Sequence, residues 1–225
     1  LIFTEKLLRY GGALQAAGSV RAKKNQRNTT SDWMELEKER GISISSTVLQ
    51  FEYDGYCINL LDTPGHRDFC EDTYRVLTAV DSVIMVIDAG KGIEERTRKL
   101  FEICRMRGIP IFTFMNKMDR PANDPFDLLD EIESELKIGV RPLSWPIGSG
   151  DIFKGVYNIF EKSLYLYEPS KQTVQEGVDV AVDSEELDQK IGDRAAQTLR
   201  EELETVEGGY PDFDVATYRS GDIAP

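Results

Sequence analysis

The strongest constraint on the fold is a spacing. Two short apolar runs, Ser82–Asp88 and Pro110–Met115, are separated by helical pattern over roughly 93–107 and followed by more over roughly 125–137. Apolar runs of this length, alternating with helices, read as buried strands of a sheet whose neighbours run parallel. Parallel strands need a crossover of a dozen or more residues, and a helix supplies it. The expectation is therefore an α/β fold with a mostly parallel sheet flanked by helices. The first run is expected to be buried on both faces, because nothing polar interrupts Val83 to Ile87. A short strand near Arg141 to Pro146 is expected to complete the alternation.

Before these runs, residues 4–10 read as a helix closed by Gly11-Gly12. A polar stretch over about 18–31 groups Arg21, Lys23, Lys24 and Arg27. It reads either as a solvated loop or as an arm that touches phosphate. Ser31 to Gly41 has the composition of a short helix with Gly41 at its end. Ile42 to Tyr53 and Tyr56 to Leu61 read as two strands joined by Asp54-Gly55, a strong hairpin signal. Helical pattern returns over about 68–79.

After residue 147 the rhythm changes. Gly148, Gly150 and Gly155 break it, and short strands are expected at Tyr157 to Phe160 and Leu164 to Tyr167. An acidic stretch leads into an expected helix over 184–206. The domain expectation is a core over 1–146 and a smaller inserted or appended α+β subdomain over 147–225.

Composition removes several function classes. The 225 residues carry 27 Lys and Arg against 40 Asp and Glu, a formal charge of −13. A generic nucleic-acid coat needs clustered cations, so no DNA partner is expected, and RNA contact is left to a local basic patch. Cys57, Cys70 and Cys104 form neither a disulfide framework nor a CxxC metal site, which suits a reducing compartment, the cytoplasm. His66 is the single histidine, so a multi-histidine metal site is excluded. No apolar run reaches the roughly 18 residues of a membrane span, so no membrane partner is expected. The chain opens on Leu1-Ile2-Phe3 without an initiator Met and is expected to be a piece of a longer protein.

Two short motifs carry the chemistry. Asp62-Thr63-Pro64-Gly65-His66 follows directly on an expected strand. In open α/β sheets ligands bind beyond the strand ends. A carboxylate there suits Mg²⁺ through water, and Gly65 lets its N–H approach a terminal phosphate. Asn116-Lys117-Met118-Asp119 follows another expected strand. The Asp119 carboxylate could accept from both N1–H and the amine of guanine, whereas adenine offers an acceptor at N1. Each such bond is worth about 1.5–3 kcal/mol. Asn116 would tie the loop to its neighbours, and the Lys117 stem would cover the base face.

Together with Arg40-Gly41-Ile42-Ser43-Ile44, these strings resemble the guanine-nucleotide motifs of the translation-factor GTPases. Ser31 to Glu37, Glu71 to Asp81, Trp145-Pro146-Ile147-Gly148 and Phe153 to Tyr157 resemble the class II peptide chain release factors (release factor 3) more than elongation factor G. The resemblance implies a P-loop NTPase-type sheet, GTP and GDP as ligands with Mg²⁺, and ribosome-stimulated hydrolysis. It implies Ser43 and Asp62 as the Mg²⁺ residues, the latter through water, and Gly65 as the γ-phosphate sensor. His66 would orient the attacking water, and Asp62 to His66 with Asn116 to Asp119 would bind GTP. The implied partners are the ribosome, through rRNA and ribosomal proteins, and indirectly the class I release factors, with the chain as a monomer. Translocation or ribosomal protection of the elongation factor G type is the alternative, and a nucleotide-free module that docks a partner is another. Two departures stand out. The family's Gly-x-x-x-x-Gly-Lys-Thr loop should precede Thr4, where Leu1-Ile2-Phe3 stands, and its Ser-Ala motif should follow Pro225.

Overall fold

The computed structural model describes residues 2–12, 46–63, 70–168, 173–174 and 177–225. The basic stretch, the helix expected at 31–41 and the start of the strand expected from Ile42 lie outside the described residues, as do Ser43, Pro64, Gly65 and His66. The chain divides into two compact units, Leu1–Val80 and Asp81–Pro225.

In the first unit, α1 (Ile2–Tyr10) buries Thr4, Glu5 and Leu8. It ends at the expected glycines: the Gly11 N–H donates to the Leu7 carbonyl at 2.9 Å. Gly11 has a packing reason too, since a Cβ there would stand 2.3 Å from the Phe51 ring. β1 (Thr47–Tyr53) and β2 (Tyr56–Asp62) pair antiparallel from Thr47 opposite Asp62 to Tyr53 opposite Tyr56. Asp54 at φ 48° and Gly55 at φ 77° form the left-handed turn whose twist matches a hairpin. α2 (Cys70–Val76) follows, with Thr73 buried.

The second unit holds the expected alternation. β3 (Val83–Asp88) and β4 (Ile111–Asn116) run parallel in full register, joined by α3 (Glu95–Met106), which buries Phe101 and Cys104. α4 (Pro125–Leu136) starts where the Asp124 side chain accepts from the Phe126 N–H at 2.9 Å, with proline at its first position. It buries Leu128, Ile132 and Leu136 and closes on Lys137 at φ 54°. β5 (Gly139–Val140) pairs in parallel with β11 (Ile223–Ala224), the last strand. The Pro225 carbonyl, next after β11, accepts from the Thr113 N–H of β4 at 2.8 Å. That bond links the two parallel pairs.

Between β5 and β11 the chain builds a second sheet. β6 (Ser144–Ile147), β7 (Gly155–Asn158), β8 (Ser163–Glu168) and β10 (Val178–Asp179) are all antiparallel, and β9 (Thr173–Val174) pairs with β8. A 3₁₀ turn, Gly150–Ile152, joins β6 to β7. Helices α5 (Glu185–Ile191) and α6 (Asp193–Gly209) cover the sheet, and a short α7 (Val215–Ser220) leads to β11. Trp145, Ile147, Tyr157 and Leu164 pack with Leu187, Ile191, Leu199, Leu203 and Val206 in one core.

Three expectations need correction. β3 is not buried on both faces: Met85 and Ile87 are buried, but Ile84 and Val86 are each 44% exposed. An unbroken apolar run does not report which face is covered. The strand expected at Arg141 to Pro146 lies at Ser144–Ile147 and belongs to the antiparallel sheet, while the parallel partner is the two-residue β5. The helix expected over 184–206 is two helices, because Gly192 at φ 86° breaks it. Parallel pairing is confined, among the described strands, to β3–β4 and β5–β11.

Candidate functional site

The carboxyl ends of β3 and β4 are level, with Asp88 directly opposite Asn116 in the register. Both strands stop at this pair because the chain turns polar there. After β3, the carbonyl of Asp88 accepts from the Lys91 and Gly92 N–H groups, each at 2.9 Å, and closes a turn. After β4, the Asn116 side-chain oxygen accepts from the Lys117 N–H at 2.9 Å. This local bond favours the left-handed Lys117, at φ 69°, that ends the strand.

The two turns are stitched together. The Ala89 N–H donates to the Asn116 carbonyl at 2.9 Å, and the Asn123 N–H to the Ala89 carbonyl at 3.0 Å. The Arg120 N–H donates to the Lys117 carbonyl at 3.0 Å. From the 3₁₀ turn between β6 and β7, the Gly150 N–H donates to the Met118 carbonyl at 2.8 Å. Met118 is buried against Ala89 and Leu128 and anchors the loop from below. Asp119, beside it, is exposed.

The Lys117 ammonium is paired with the Asp88 carboxylate. The other Asp88 oxygen accepts from the Gly90 N–H at 3.1 Å. The lysine bond holds the Asp88 carboxyl below the usual carboxylate range, aided by Gly90 and opposed by partial burial.

Of the residues singled out from the sequence, the structure brings Asn116, Lys117, Met118 and Asp119 into this one turn. Asp62 and Thr63 are in the first unit, both half-buried, with Asp62 at the carboxyl end of β2. Pro64, Gly65, His66 and Ser43 lie outside the described residues. Reading the sequence missed Asp88 and Gly150 as residues that hold this turn. The signal for Asp88 was present: it is the first charged residue after the apolar run of β3. Among the described residues, no group of three or more His, Cys, Asp and Glu side chains converges as a metal cluster, and no helix is long and apolar enough to cross a membrane.

Chemically, the turn offers an exposed carboxylate, a lysine stem with its head fixed, and an asparagine that ties the backbone. A carboxylate so placed is an acceptor for paired N–H donors on a planar ligand. The arrangement fits a guanine base.

Comparison with known proteins identifies the fold and the family. Over its whole length the chain is similar in structure to a protein from Thermus thermophilus, with a TM-score of 0.73 at 23% sequence identity. It covers 34% of that protein's chain, so it spans about a third of its length. At that identity the likeness establishes the α/β fold. Residues 2–207 match the elongation factor Tu GTP-binding domain, a span that takes in Asp62 to His66 and Asn116 to Asp119. The chain therefore belongs to the elongation factor Tu GTP-binding domain family, and with it to the translation-factor GTPases.

Proposed function

We propose that this chain is the GTPase domain of a class II release factor, which uses GTP to remove class I release factors from the ribosome after peptide release. The observation that carries the guanine part is the Asn116–Asp119 turn, held level with Asp88 at the strand ends and presenting Asp119 to solvent. The release-factor part is supported by the sequence strings around Ser31 to Glu37 and Trp145 to Tyr157.

In this reading the core is a P-loop NTPase-type sheet over 1–146, with a subdomain over 147–225. GTP and GDP bind with Mg²⁺, an ion that neutralises phosphate charge when present. Ser43 and Asp62 would hold it, Asp62 through water. Thr63 and Pro64 would stiffen the turn at the nucleotide, and the Gly65 N–H would meet the terminal phosphate. His66 would align the attacking water, a task of position more than of basicity. Asp119 would select guanine because the wrong base leaves its hydrogen bonds unmade. The protein would act in the cytoplasm as a monomer, with the ribosome as its partner.

The test is a pair of measurements on the intact protein with ribosomes. His66→Ala should bind GTP as the parent does and lose ribosome-stimulated single-turnover hydrolysis by about 100-fold or more. The parent, with GTP, should speed dissociation of a class I release factor from terminated ribosomes. If GTP speeds tRNA movement instead, the function is of the translocation type. If ribosomes leave hydrolysis unchanged, the enzymatic reading fails and a docking module is left.

A further inference from the structure

We propose that Asp88 is a positioning residue for Lys117, fixing the lysine side chain so that the wall of the base pocket stands assembled before nucleotide arrives. The proposal rests on the guanine reading of the Asn116–Asp119 turn. Three observations carry it. The register sets Asp88 beside Asn116 at the last rung of β3 and β4, so its carboxylate emerges where the base loop begins. One oxygen takes the Lys117 ammonium and the other takes the Gly90 N–H at 3.1 Å, so the carboxylate is itself held in place. The backbone that bears Lys117 is fixed from both sides, by the Asn116 side chain and by the bond from Arg120 at 3.0 Å.

A lysine with a free head loses much rotamer freedom when a ligand packs on its stem. Here the head is tied, although the side chain is 42% exposed, and that loss is incurred on folding. The pair also manages charge. Asp88 without its lysine would leave an anion beside a loop that takes an anionic ligand. Lys91, the other lysine whose charge acts on Asp88, pairs with Glu94 at 3.6 Å.

These two roles predict a signature that a general structural role does not. Calorimetry on the intact protein would measure GDP and xanthosine diphosphate binding to the parent, Asp88→Ala, Asp88→Glu, Lys117→Ala and the double variant. Asp88→Ala should weaken both nucleotides by about five- to tenfold, leaving their ratio unchanged. Asp88→Glu should recover part of the loss. Lys117→Ala should lose more than Asp88→Ala, and the double variant should bind better than Lys117→Ala alone, because the stranded anion is gone. Additive losses, or an Asp88→Ala variant that binds as tightly as the parent, would overturn the proposal. Asp119→Asn serves as the control for the guanine reading. If it leaves the GDP to xanthosine diphosphate ratio unmoved, that reading fails, whatever Asp88→Ala does. A parent that binds neither nucleotide overturns both.

Discussion

The two sheets of the second unit are built to opposite ends. The antiparallel sheet and the helices over it bury nearly everything between them: Tyr157 and Leu164 of the strands and Leu187, Leu199 and Val206 of the helices are each at most 2% exposed. Two polar groups inside it are satisfied. The Tyr157 hydroxyl donates to the Val180 carbonyl at 3.1 Å, and the Trp145 indole N–H to Glu202 at 2.7 Å. The parallel pair β3–β4 leaves Ile84, Val86 and Phe114 open on one face, and its carboxyl end is held by polar bonds around a small cluster of Ala89, Met118 and Leu128. The comparison separates apolar packing from polar tethering. A packed apolar core holds the antiparallel sheet and its helices, whereas the Asn116–Asp119 loop gets its shape from a set of directed hydrogen bonds.

The division can be broken or sharpened by substitution. Asp119→Asn should have the largest effect and should touch recognition alone. With two charge-assisted bonds lost, the intact protein should bind GTP about 10²–10⁴-fold more weakly and come to favour xanthosine triphosphate, while its denaturation curve stays in place. A changed curve with unchanged base preference would reverse the assignment.

Leu199→Ala is the mirror case. Leu199 is 1% exposed in the antiparallel core, and its truncation should cost about 3–5 kcal/mol in chemical denaturation. The protein that remains folded should bind nucleotide as before.

Gly148→Ala tests whether the two regions are coupled. Gly148 sits at φ 74°, and a Cβ there would lie 2.7 Å from the Ile152 carbonyl oxygen. The strain should cost about 1–3 kcal/mol. The bend it shapes leads to Gly150, whose N–H caps Met118 in the base loop. Nucleotide affinity should therefore fall with stability. Unchanged affinity would make the regions independent.

The smallest effect concerns pH. Burial, opposed by the Trp145 bond and aided by the charges of Asp124 and Glu201, raises the Glu202 carboxyl above its ordinary value. A group raised on folding binds its proton more tightly in the folded state. Its contribution to stability is then full below the ordinary carboxylate range and fades as pH rises through the raised value. Glu202→Gln, which keeps an acceptor for the indole, should flatten that part of the melting temperature's pH profile. An unaltered slope would mean that Glu202 is ordinarily solvated.

Much of this was legible in the sequence where local chemistry decides. Asp54-Gly55 specified its turn because few residues tolerate two successive left-handed positions. The Asn116–Asp119 loop was placed correctly because polar residues directly after an apolar strand mark its exit. Where tertiary context decides, reading failed. Nothing local distinguishes a strand covered on both faces from one covered on one, so the exposure of Ile84 and Val86 is not legible in the sequence. β5 and β11 have two residues each and leave no period to detect. Gly192 was readable as a helix break, and Ser184 as the cap before it, but the acidic helical composition on both sides masked the interruption. The pairing of Asp88 with Lys117 depends on strand register, which two separate apolar runs do not announce.

The bond from Thr113 to Pro225 spans 112 positions of chain. It has a consequence for the order of assembly. β3 and β4 can pair as soon as the helix between them forms, but β11 cannot join β4 until the whole intervening subdomain has been made. Closing so long a loop costs only slowly more entropy with length, about 0.6 kcal/mol per doubling, and less once the subdomain is compact. Folding of the antiparallel sheet thus brings the last strand within reach, and β11 should be the late arrival. Pulse-labelled hydrogen exchange during refolding, in which the Thr113 amide gains protection after the amides of β7 and β8, would register this order.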